Sequence, residues 1–220
     1  MKPRLLELFC GAGGAGMGYS CAGFDVTGVD ISLQPHYPFA FIQSDALEYV
    51  TTHGHEYDLI HASPPCQAYT GMRNISLARW GHAPEHPDLI VATRRALIEC
   101  GKPYIIENVQ NSPLLTQVIL CGVALGLPHL ARHRHFESSH ILFAPKCNHR
   151  SASYTIGVYG NHPDGRRVSY PQFRLSRIAK GLAEGSEVMG IDWMDWHELK
   201  EAIPPAYTEY LGKQLMVIFE

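Results

Sequence analysis

The segment from Gly11 to Gly18 carries five glycines in eight residues, directly after the apolar run from Leu5 to Phe9. Glycines permit backbone turns that other residues avoid, and they let main-chain amides approach a ligand closely. A glycine loop between a strand-length apolar run and a helix is typical of nucleotide-binding α/β folds. Because these glycines fit more than one register, the loop alone predicts a nucleotide-like ligand without identifying it.

The first two-thirds of the chain alternates between strand-like and helix-like segments. We expect further strands at 26–29, 59–62, 104–106 and 118–121, and helices at about 46–52 and 88–99. This rhythm predicts a doubly wound, mostly parallel sheet in an α/β fold. The rhythm stops near residue 139, and the stretch 148–172 is polar, aromatic and rich in Gly and Pro. We therefore expect an α/β core over 1–139, a small basic lobe over 140–180, and a C-terminal segment over 181–220 that returns to the core.

Composition indicates a compact chain in a reducing compartment. Of its 220 residues 45% are apolar, which suffices for one full core. No apolar run approaches the roughly 20 residues that a membrane span requires, and no export signal is visible. The six cysteines are scattered through strand-like and helix-like contexts, which favours reduced thiols over a disulfide framework. We expect a cytoplasmic monomer.

Positive charge is concentrated between residues 132 and 180. This interval has nine Lys or Arg and two acidic residues, a net charge of +7 in a chain whose net charge is −3. Aromatic side chains at 154, 159, 170 and 173 lie among these cations. A solvated basic surface would give the same count, but a concentrated positive region also attracts phosphates. A nucleic-acid partner is therefore the hypothesis that the charge pattern favours.

Cys66 follows two prolines at the end of the expected strand 59–62. Prolines fix φ and remove amide donors, so this loop has few conformations to lose when a substrate binds. A thiol on such a loop is placed for attack, although a buried structural thiol remains the alternative reading. We expect the cysteines at 10, 21, 100 and 121 to lie in the core.

In their order along the chain, these motifs resemble those of the DNA cytosine-5 methyltransferases, which use S-adenosylmethionine. The resemblance covers almost the whole chain. The segments that carry it are Phe9-Cys10-Gly11-Ala12-Gly13-Gly14, Asp30-Ile31, Asp45-Ala46, Pro65-Cys66-Gln67, Glu107-Asn108-Val109, Arg132-His133-Arg134 and Ala202-Ile203-Pro204-Pro205. Two positions depart from the family pattern: Leu130 stands where Gln is usual, and Glu201 stands where Asn is usual.

The resemblance implies a mechanism. Cys66 would add as a thiolate to C6 of cytosine, which makes C5 nucleophilic toward the methyl group. Glu107 would donate a proton toward N3 of the ring if burial keeps it neutral. Arg132 and Arg134 would hold the base carbonyl and a neighbouring phosphate, with Arg134 as the inward residue. Because a stacked base hides C6, the cytosine would be flipped out of the duplex.

The resemblance also implies binding residues for cofactor and DNA. S-adenosylmethionine would be held by Phe9, Gly11, Ala12, Gly13, Gly14, Asp30, Ile31, Asp45, Ala46, Pro64, Ala202 and Ile203. In the family, Asp30 and Ile31 correspond to residues at the ribose and adenine, and Asp45 to a residue at the adenine amino group. Double-stranded DNA would be contacted by Gln67, Arg150, Arg166, Arg167, Arg174 and Arg177. The recognition interval is only about forty residues long, which predicts a target of about two to four base pairs.

Two other functions stay open at this point. The short recognition interval allows the same chemistry on tRNA or on a free cytosine nucleotide. The departures at Leu130 and Glu201 allow a DNA-binding relative that has lost catalysis.

Metal-ligand residue types occur at Cys147 and His149, with His133, His135 and His140 nearby. No paired spacing such as CxxC or HxxxH accompanies them. No metal is therefore expected.

Overall fold

The computed structural model describes residues 1–66, 69, 88–147, 149, 154–168 and 176–219. Its main sheet contains β1 (Arg4–Leu8), β2 (Asp25–Asp30), β3 (Ala40–Gln43), β4 (Leu59–Ala62), β5 (Tyr104–Asn108), β6 (Val118–Cys121) and β7 (His133–Ser138). A second, small sheet contains β8 (Thr155–Gly157), β9 (Arg167–Val168) and β10 (Ser176–Ile178). The described helices are α1 (Gly14–Ala22), α2 (Ala46–His53), α3 (Ile90–Cys100), α4 (Leu182–Met189), α5 (Trp196–Glu201) and α6 (Pro205–Leu215). Short 3-10 turns occupy Gly54–Glu56, Gly122–Leu125 and Met216–Phe219.

The strand order in the main sheet is β3-β2-β1-β4-β5-β7-β6. The pairs β1–β2, β1–β4, β2–β3 and β4–β5 are all parallel. β7 is antiparallel to both of its neighbours, β5 and β6. The predicted doubly wound, mostly parallel sheet is thus confirmed, with one reversed strand near its edge.

Each central strand is buried on both faces, because its successive side chains enter different apolar clusters. One cluster contains Leu5, Leu59 and Ile105 together with residues of α1 and α6. The other contains Leu6, Ile60 and Ile106 together with residues of α2 and α3. This is the packing that near-continuous apolar runs produce in a parallel sheet.

The C-terminal segment lies against the glycine-loop end of the core. Helix α6 packs on α1, and the hydroxyl of Thr208 donates to the carbonyl of Ala15 at 2.7 Å. The small sheet packs its apolar side, including Ile156 and Ile178, against Met189 and Trp196 of the same segment. No described helix is long and apolar enough to cross a bilayer.

The structure corrects several sequence-based boundaries. The expected first strand ended at Phe9, but β1 ends at Leu8 and Phe9 has a φ of 56°. The helix expected at 88–99 is α3, which begins at Ile90. The strands β3 and β7 and the helices α4 to α6 had no counterpart among the expected elements.

Candidate active site

A cavity of about 550 Å³ opens at the carboxyl ends of β1, β2, β4 and β5. Ligands of doubly wound sheets bind at this edge, where the strand order reverses between the two halves. The predicted site residues that line the cavity are Phe9, Gly11, Ala12, Gly14, Asp30, Ile31, Pro64, Cys66, Glu107, Arg134, Ala202 and Ile203. Four of the predicted cofactor-binding and catalytic residues lie outside this lining, namely Gly13, Asp45, Ala46 and Arg132.

The glycine loop forms one wall of the cavity. Its first residue, Phe9, has a positive φ, which is unusual for a bulky side chain and indicates local backbone strain held by the surrounding structure. Gly13, with a φ of 82°, precedes α1 as its N-cap. At Gly14 an added Cβ would collide with the main-chain carbonyl of Ile203. Glycine is therefore needed for the close contact between the loop and the C-terminal segment.

Asp30 stabilises the glycine loop from the end of β2. Its Oδ2 accepts a hydrogen bond from the amide of Gly11 at 3.1 Å, and its Oδ1 accepts one from the amide of Ser32 at 3.0 Å. The next side chain, Ile31, is 69% exposed although it is a large apolar group beside the cavity. Because each carboxylate oxygen has a second lone pair, Asp30 can still accept a hydrogen bond from a bound ligand.

Asp45 is placed differently. Its Oδ1 accepts hydrogen bonds from the amides of Leu47 at 2.9 Å and Glu48 at 3.0 Å, so it caps the N-terminus of α2. Ala46 is buried against the core as the first residue of that helix. A cofactor role for these two residues stays a prediction.

The loop that carries Cys66 is tied to the end of β5. The side-chain amide of Asn108 donates to the carbonyl of Pro64 at 2.8 Å, and the amide of Ser63 donates to the carbonyl of Leu8 at 3.2 Å. Cys66 is half-buried and lines the cavity. Gln67, which follows it, lies outside the described residues.

Glu107 and Arg134 form a buried ion pair in the cavity wall. Arg134 Nε lies 2.8 Å from Glu107 Oε1, and the two side chains are 12% and 7% exposed. Burial raises the pKa of Glu107, while Arg134, Arg132 and a hydrogen bond from Ser63 oppose the rise. A carboxyl group in this environment can hold a proton more readily than one in water.

The pKa of Cys66 is also raised, chiefly by burial. The charge of Arg134 lowers it, whereas Glu107 and Glu201 raise it further. The effect of Arg134 does not outweigh that of burial. The thiol is therefore mostly protonated at neutral pH in the structure as it stands.

Arg132 is engaged elsewhere. Its guanidinium donates to the carbonyl of Lys200 at 2.5 Å and to that of Val158 at 3.3 Å. It therefore ties the small sheet and the C-terminal segment to β7. Of the two predicted arginines, Arg134 lines the cavity and Arg132 does not, and the catalytic role of either stays a prediction.

The C-terminal segment closes the cavity opposite the glycine loop. Met194, His197, Glu198 and Glu201 line it together with the predicted Ala202 and Ile203. Trp193 Nε1 donates to the carbonyl of Ala12 at 2.8 Å, which joins this rim to the glycine loop. No sequence motif indicated that residues 193–201 would line the cavity or contact the glycine loop. These contacts form only when the segment that contains α5 folds back over the core.

Glu7 is a cavity residue that the sequence analysis missed. It lies on β1, is 2% exposed, and accepts hydrogen bonds from Tyr37 Oη at 2.7 Å and from the amide of Gly16 at 2.9 Å. Burial raises its pKa to about 7. An acidic residue inside the apolar run Leu5 to Phe9 was the available signal, because a charge is rarely placed in a buried strand without a partner.

A chain of hydrogen bonds leads from the buried Tyr19 through the buried His61 and the half-buried Ser63 to Glu107. Tyr19 Oη lies 3.0 Å from His61 Nδ1, and His61 Nε2 lies 2.8 Å from Ser63 Oγ. Ser63 in turn hydrogen-bonds to Glu107. Burial lowers the pKa of His61 to about 3, so its imidazole is neutral at neutral pH. With Glu107 ionised, each group in the order Tyr19, His61 and Ser63 donates to the next, and the chain ends at the carboxylate.

The predicted DNA-binding cations are only partly described. Arg166 and Arg167 are exposed on the small sheet and the turn before it. Arg177 makes two hydrogen bonds of 2.5 Å to the carboxylate of Glu184, so it is already paired. Arg150 and Arg174 lie outside the described residues. DNA contact by these side chains stays a prediction.

Comparison with solved structures places the fold among methyltransferases. A protein encoded in an Escherichia coli prophage and assigned as a DNA modification methyltransferase superposes with a TM-score of 0.59 at 14% identity, over 99% of each chain. Dnmt2 methyltransferase of S. pombe gives 0.58 at 14% identity over 100% of each chain, and a mutant of Spodoptera frugiperda DNMT2 gives 0.57 at 13% identity over 100% of each. No family model and no curated protein sequence matches this chain. At these identities the similarity establishes the fold, and the resemblance found in the sequence is confirmed at that level.

Proposed function

We propose that this chain, which has the fold of those methyltransferases, transfers a methyl group from S-adenosylmethionine to C5 of cytosine in DNA. The observation that carries the proposal is the meeting of Cys66, Glu107 and Arg134 in the lining of a cavity that the glycine loop also lines. A thiol, a buried carboxyl and a guanidinium are the groups that nucleophilic addition to a pyrimidine ring requires.

The cavity suits S-adenosylmethionine in size and chemistry. Its volume of about 550 Å³ is within the range of small-molecule sites. Phe9 and the exposed Ile31 offer apolar surface, while Asp30 offers a carboxylate at the end of β2. When bound, S-adenosylmethionine supplies an electrophilic methyl group. The loop residues Gly11, Ala12 and Gly14 would bind it through their main chain.

Cys66 is the proposed nucleophile. As a thiolate it attacks C6 of the cytosine, a C–S bond forms, and the ring electrons become available at C5. Because burial holds the thiol protonated, its proton passes to solvent as the thiolate forms, and the adjacent positive charge of Arg134 favours the thiolate. After methyl transfer a base removes the C5 proton, and the thiolate leaves with the C–S electron pair.

Glu107 and Arg134 are proposed to act on the ring as charge develops. The raised pKa of Glu107 lets it carry the proton that N3 accepts during the attack. Arg134, held 2.8 Å from Glu107, would hydrogen-bond to the base carbonyl. The buried chain from Tyr19 to Ser63 keeps Glu107 oriented.

DNA is the proposed substrate because positive charge is concentrated in residues 132–180. The exposed Arg166 and Arg167 would contact backbone phosphates there. The target cytosine would be flipped into the cavity, as chemistry on C6 requires. The short interval available for recognition implies a short target sequence.

The test is transfer of labelled methyl from S-adenosylmethionine to duplex DNA and, in parallel, to tRNA. Wild type and Cys66→Ser are compared, and the product is digested to nucleosides and identified. Label found as 5-methyldeoxycytidine with wild type and DNA alone supports the proposal. Label in tRNA moves the substrate to RNA. If protein that binds S-adenosylmethionine labels neither, the catalytic proposal is wrong.

A further inference from the structure

Four metal-ligand side chains converge at the edge of the main sheet, away from the cavity. They are Cys121, His133, Cys147 and His149, and their ligand atoms all lie within 4.8 Å of one another. Cys147 Sγ lies 2.7 Å from His149 Nδ1 and 3.4 Å from His133 Nε2, while Cys121 Sγ lies 3.9 Å from His149 Nδ1. We propose that this group, the Cys2His2 cluster, binds a structural zinc ion.

The topology explains how these residues meet. Cys121 is the last residue of β6 and His133 is the first residue of β7, and the two are paired in the antiparallel register. Directly opposed residues of an antiparallel pair project from the same face of the sheet. Cys147 and His149 come from the segment after β7, which returns to that face. Sequence spacing could not reveal the cluster, since its two halves are joined only by the pairing of β6 with β7.

The donor set selects the metal class. Two thiolates and two imidazoles in tetrahedral arrangement are typical of structural zinc, with Zn–S near 2.3 Å and Zn–N near 2.0 Å, so that neighbouring ligand atoms lie about 3.3 to 3.8 Å apart. The observed separations are close to this range, and small side-chain movements would reach it. Binding would displace one proton from each thiol to solvent, and the two thiolates would neutralise the dication.

The cluster is half enclosed, as structural zinc sites in surface segments are. Cys121 is 1% exposed, whereas Cys147 is exposed. The rings of His133 and His149 lie 5.0 Å apart, and a nitrogen of each ring approaches Cys147 Sγ. Tertiary structure thus brings four side chains without paired spacing to one site.

A zinc ion here would fix the strand that carries Arg134. His133 and Arg134 are neighbours on β7, so their side chains point to opposite faces of the sheet. On one face β7 would be tied by zinc to β6 and to the segment after β7. On the other face Arg134 contacts Glu107. The inference is independent of the proposed reaction, since it concerns the donor set alone.

Metal content provides the test. The whole protein, purified under reducing conditions, is equilibrated with buffered zinc, freed of excess metal and analysed by inductively coupled plasma mass spectrometry. Wild type is expected to hold one zinc per chain, and Cys147→Ser and His149→Ala are expected to lower its zinc affinity at least tenfold. The matched control is Cys21→Ser, which should leave zinc binding unchanged. Cys21 was expected in the core, but it is exposed on α1.

Cobalt substitution of wild type keeps the test independent of how well the variants fold. Tetrahedral cobalt with two thiolate ligands gives intense d–d bands and a thiolate-to-metal charge-transfer band, and both are expected. Wild type that holds no zinc or cobalt, or Cys147→Ser that keeps full zinc affinity, would overturn the proposal. So would a Cys121–Cys147 disulfide in freshly prepared protein together with no metal binding after reduction.

Discussion

The structure has two clusters built around thiols, one on each face of β7, and they differ in how the sequence encodes them. Cys66 lies in a cavity with Glu107 and Arg134, and each of these residues belongs to a short contiguous motif. Cys66 follows β4, Glu107 lies near the end of β5, and Arg134 lies near the start of β7. The Cys2His2 cluster has no such motif. It exists because β6 and β7 pair and the following segment returns to their edge.

The difference shows what a local motif can convey. A reactive site at the carboxyl ends of parallel strands gathers residues whose chain positions are fixed by the strand–loop rhythm, so the sequence predicts their proximity. A site across an antiparallel pair depends on register, which contiguous residues do not specify. His133 and Arg134 are adjacent in sequence yet serve different clusters.

The largest effect is expected from replacing Cys66, and it should distinguish the function of Cys66 from that of Cys147. Cys66→Ser should lower methyl transfer more than about a thousandfold, since it removes the atom that forms the covalent bond. It should leave S-adenosylmethionine binding and zinc content unchanged. Labelled-methyl assays, isothermal titration calorimetry and metal analysis measure these three properties.

Cys147→Ser is the reciprocal variant. It should lose zinc and melt at a lower temperature, yet retain methyl transfer within about tenfold, because Cys147 does not line the cavity. If Cys66→Ser keeps appreciable activity, the thiolate is not the nucleophile, and the functional contrast between the clusters disappears.

The next largest effect is expected from replacing Glu107, and the control is a second buried glutamate that is also paired with an arginine. Glu107→Gln should lower the turnover rate at least about a hundredfold, because an amide cannot donate a carboxyl proton to the ring. The matched control is Glu137→Gln on β7, whose carboxylate lies 2.6 Å from Arg94 Nε at the far end of the strand. That variant should lower the melting temperature without a comparable loss of turnover per folded molecule. Equal losses in turnover would assign Glu107 a structural role only.

A smaller effect tests the glycine-loop side of the cavity. Asp30→Ala should weaken S-adenosylmethionine binding about tenfold, since a charge-assisted hydrogen bond contributes roughly 1.5 to 3 kcal/mol and part of this interaction also holds Gly11. The control is Asp25→Ala, an exposed residue at the start of the same strand. Calorimetry should show no change for Asp25→Ala. An unchanged affinity in Asp30→Ala would remove this carboxylate from the binding site.

The fold was more predictable from sequence than the site, and the reasons are physical. Strands β1, β4 and β5 are apolar runs buried on both faces, which a sequence displays directly. Strand β7 reads His-Arg-His-Phe-Glu-Ser, a polar segment whose side chains find partners only in the folded chain. Arg134 pairs with Glu107, and Glu137 pairs with Arg94. Such partners cannot be inferred from propensity, so β7 was missed.

The sequence motifs account for part of the cavity lining, and the rest of the lining depends on where the chain folds back. The glycine loop, Cys66 and Glu107 line one cavity, while their roles stay predictions. Glu7, His61 and the rim from Met194 to Glu201 were not identified, because their roles depend on contacts with α1 and with the returning C-terminal segment. Asp45 belongs to a local motif, yet it lies outside the cavity lining. Its carboxylate caps the N-terminus of α2.

The smallest expected effect is a shift in the pKa of Cys66 when a neighbouring charge is removed. Burial and Glu107 raise the pKa of Cys66, whereas Arg134 lowers it. Removing the positive charge with Arg134→Met should therefore raise the pKa further and move the midpoint of alkylation by iodoacetamide to higher pH. Removing the carboxylate with Glu107→Gln should move the midpoint to lower pH. Peptide mass spectrometry at each pH follows Cys66 separately from the other thiols.

Cys21 supplies the internal reference, because it is exposed on α1 and outside the cavity. The extent of its alkylation at each pH should be the same in wild type and in both variants. Shifts of opposite sign at Cys66 alone would show that Arg134 and Glu107 act on the thiol through their charges. If Arg134→Met left the Cys66 midpoint unchanged or lowered it, Arg134 would not stabilise the thiolate. Its contact with Glu107 would then orient the carboxyl group without assisting the nucleophile, and thiolate formation would depend on the arrival of substrate.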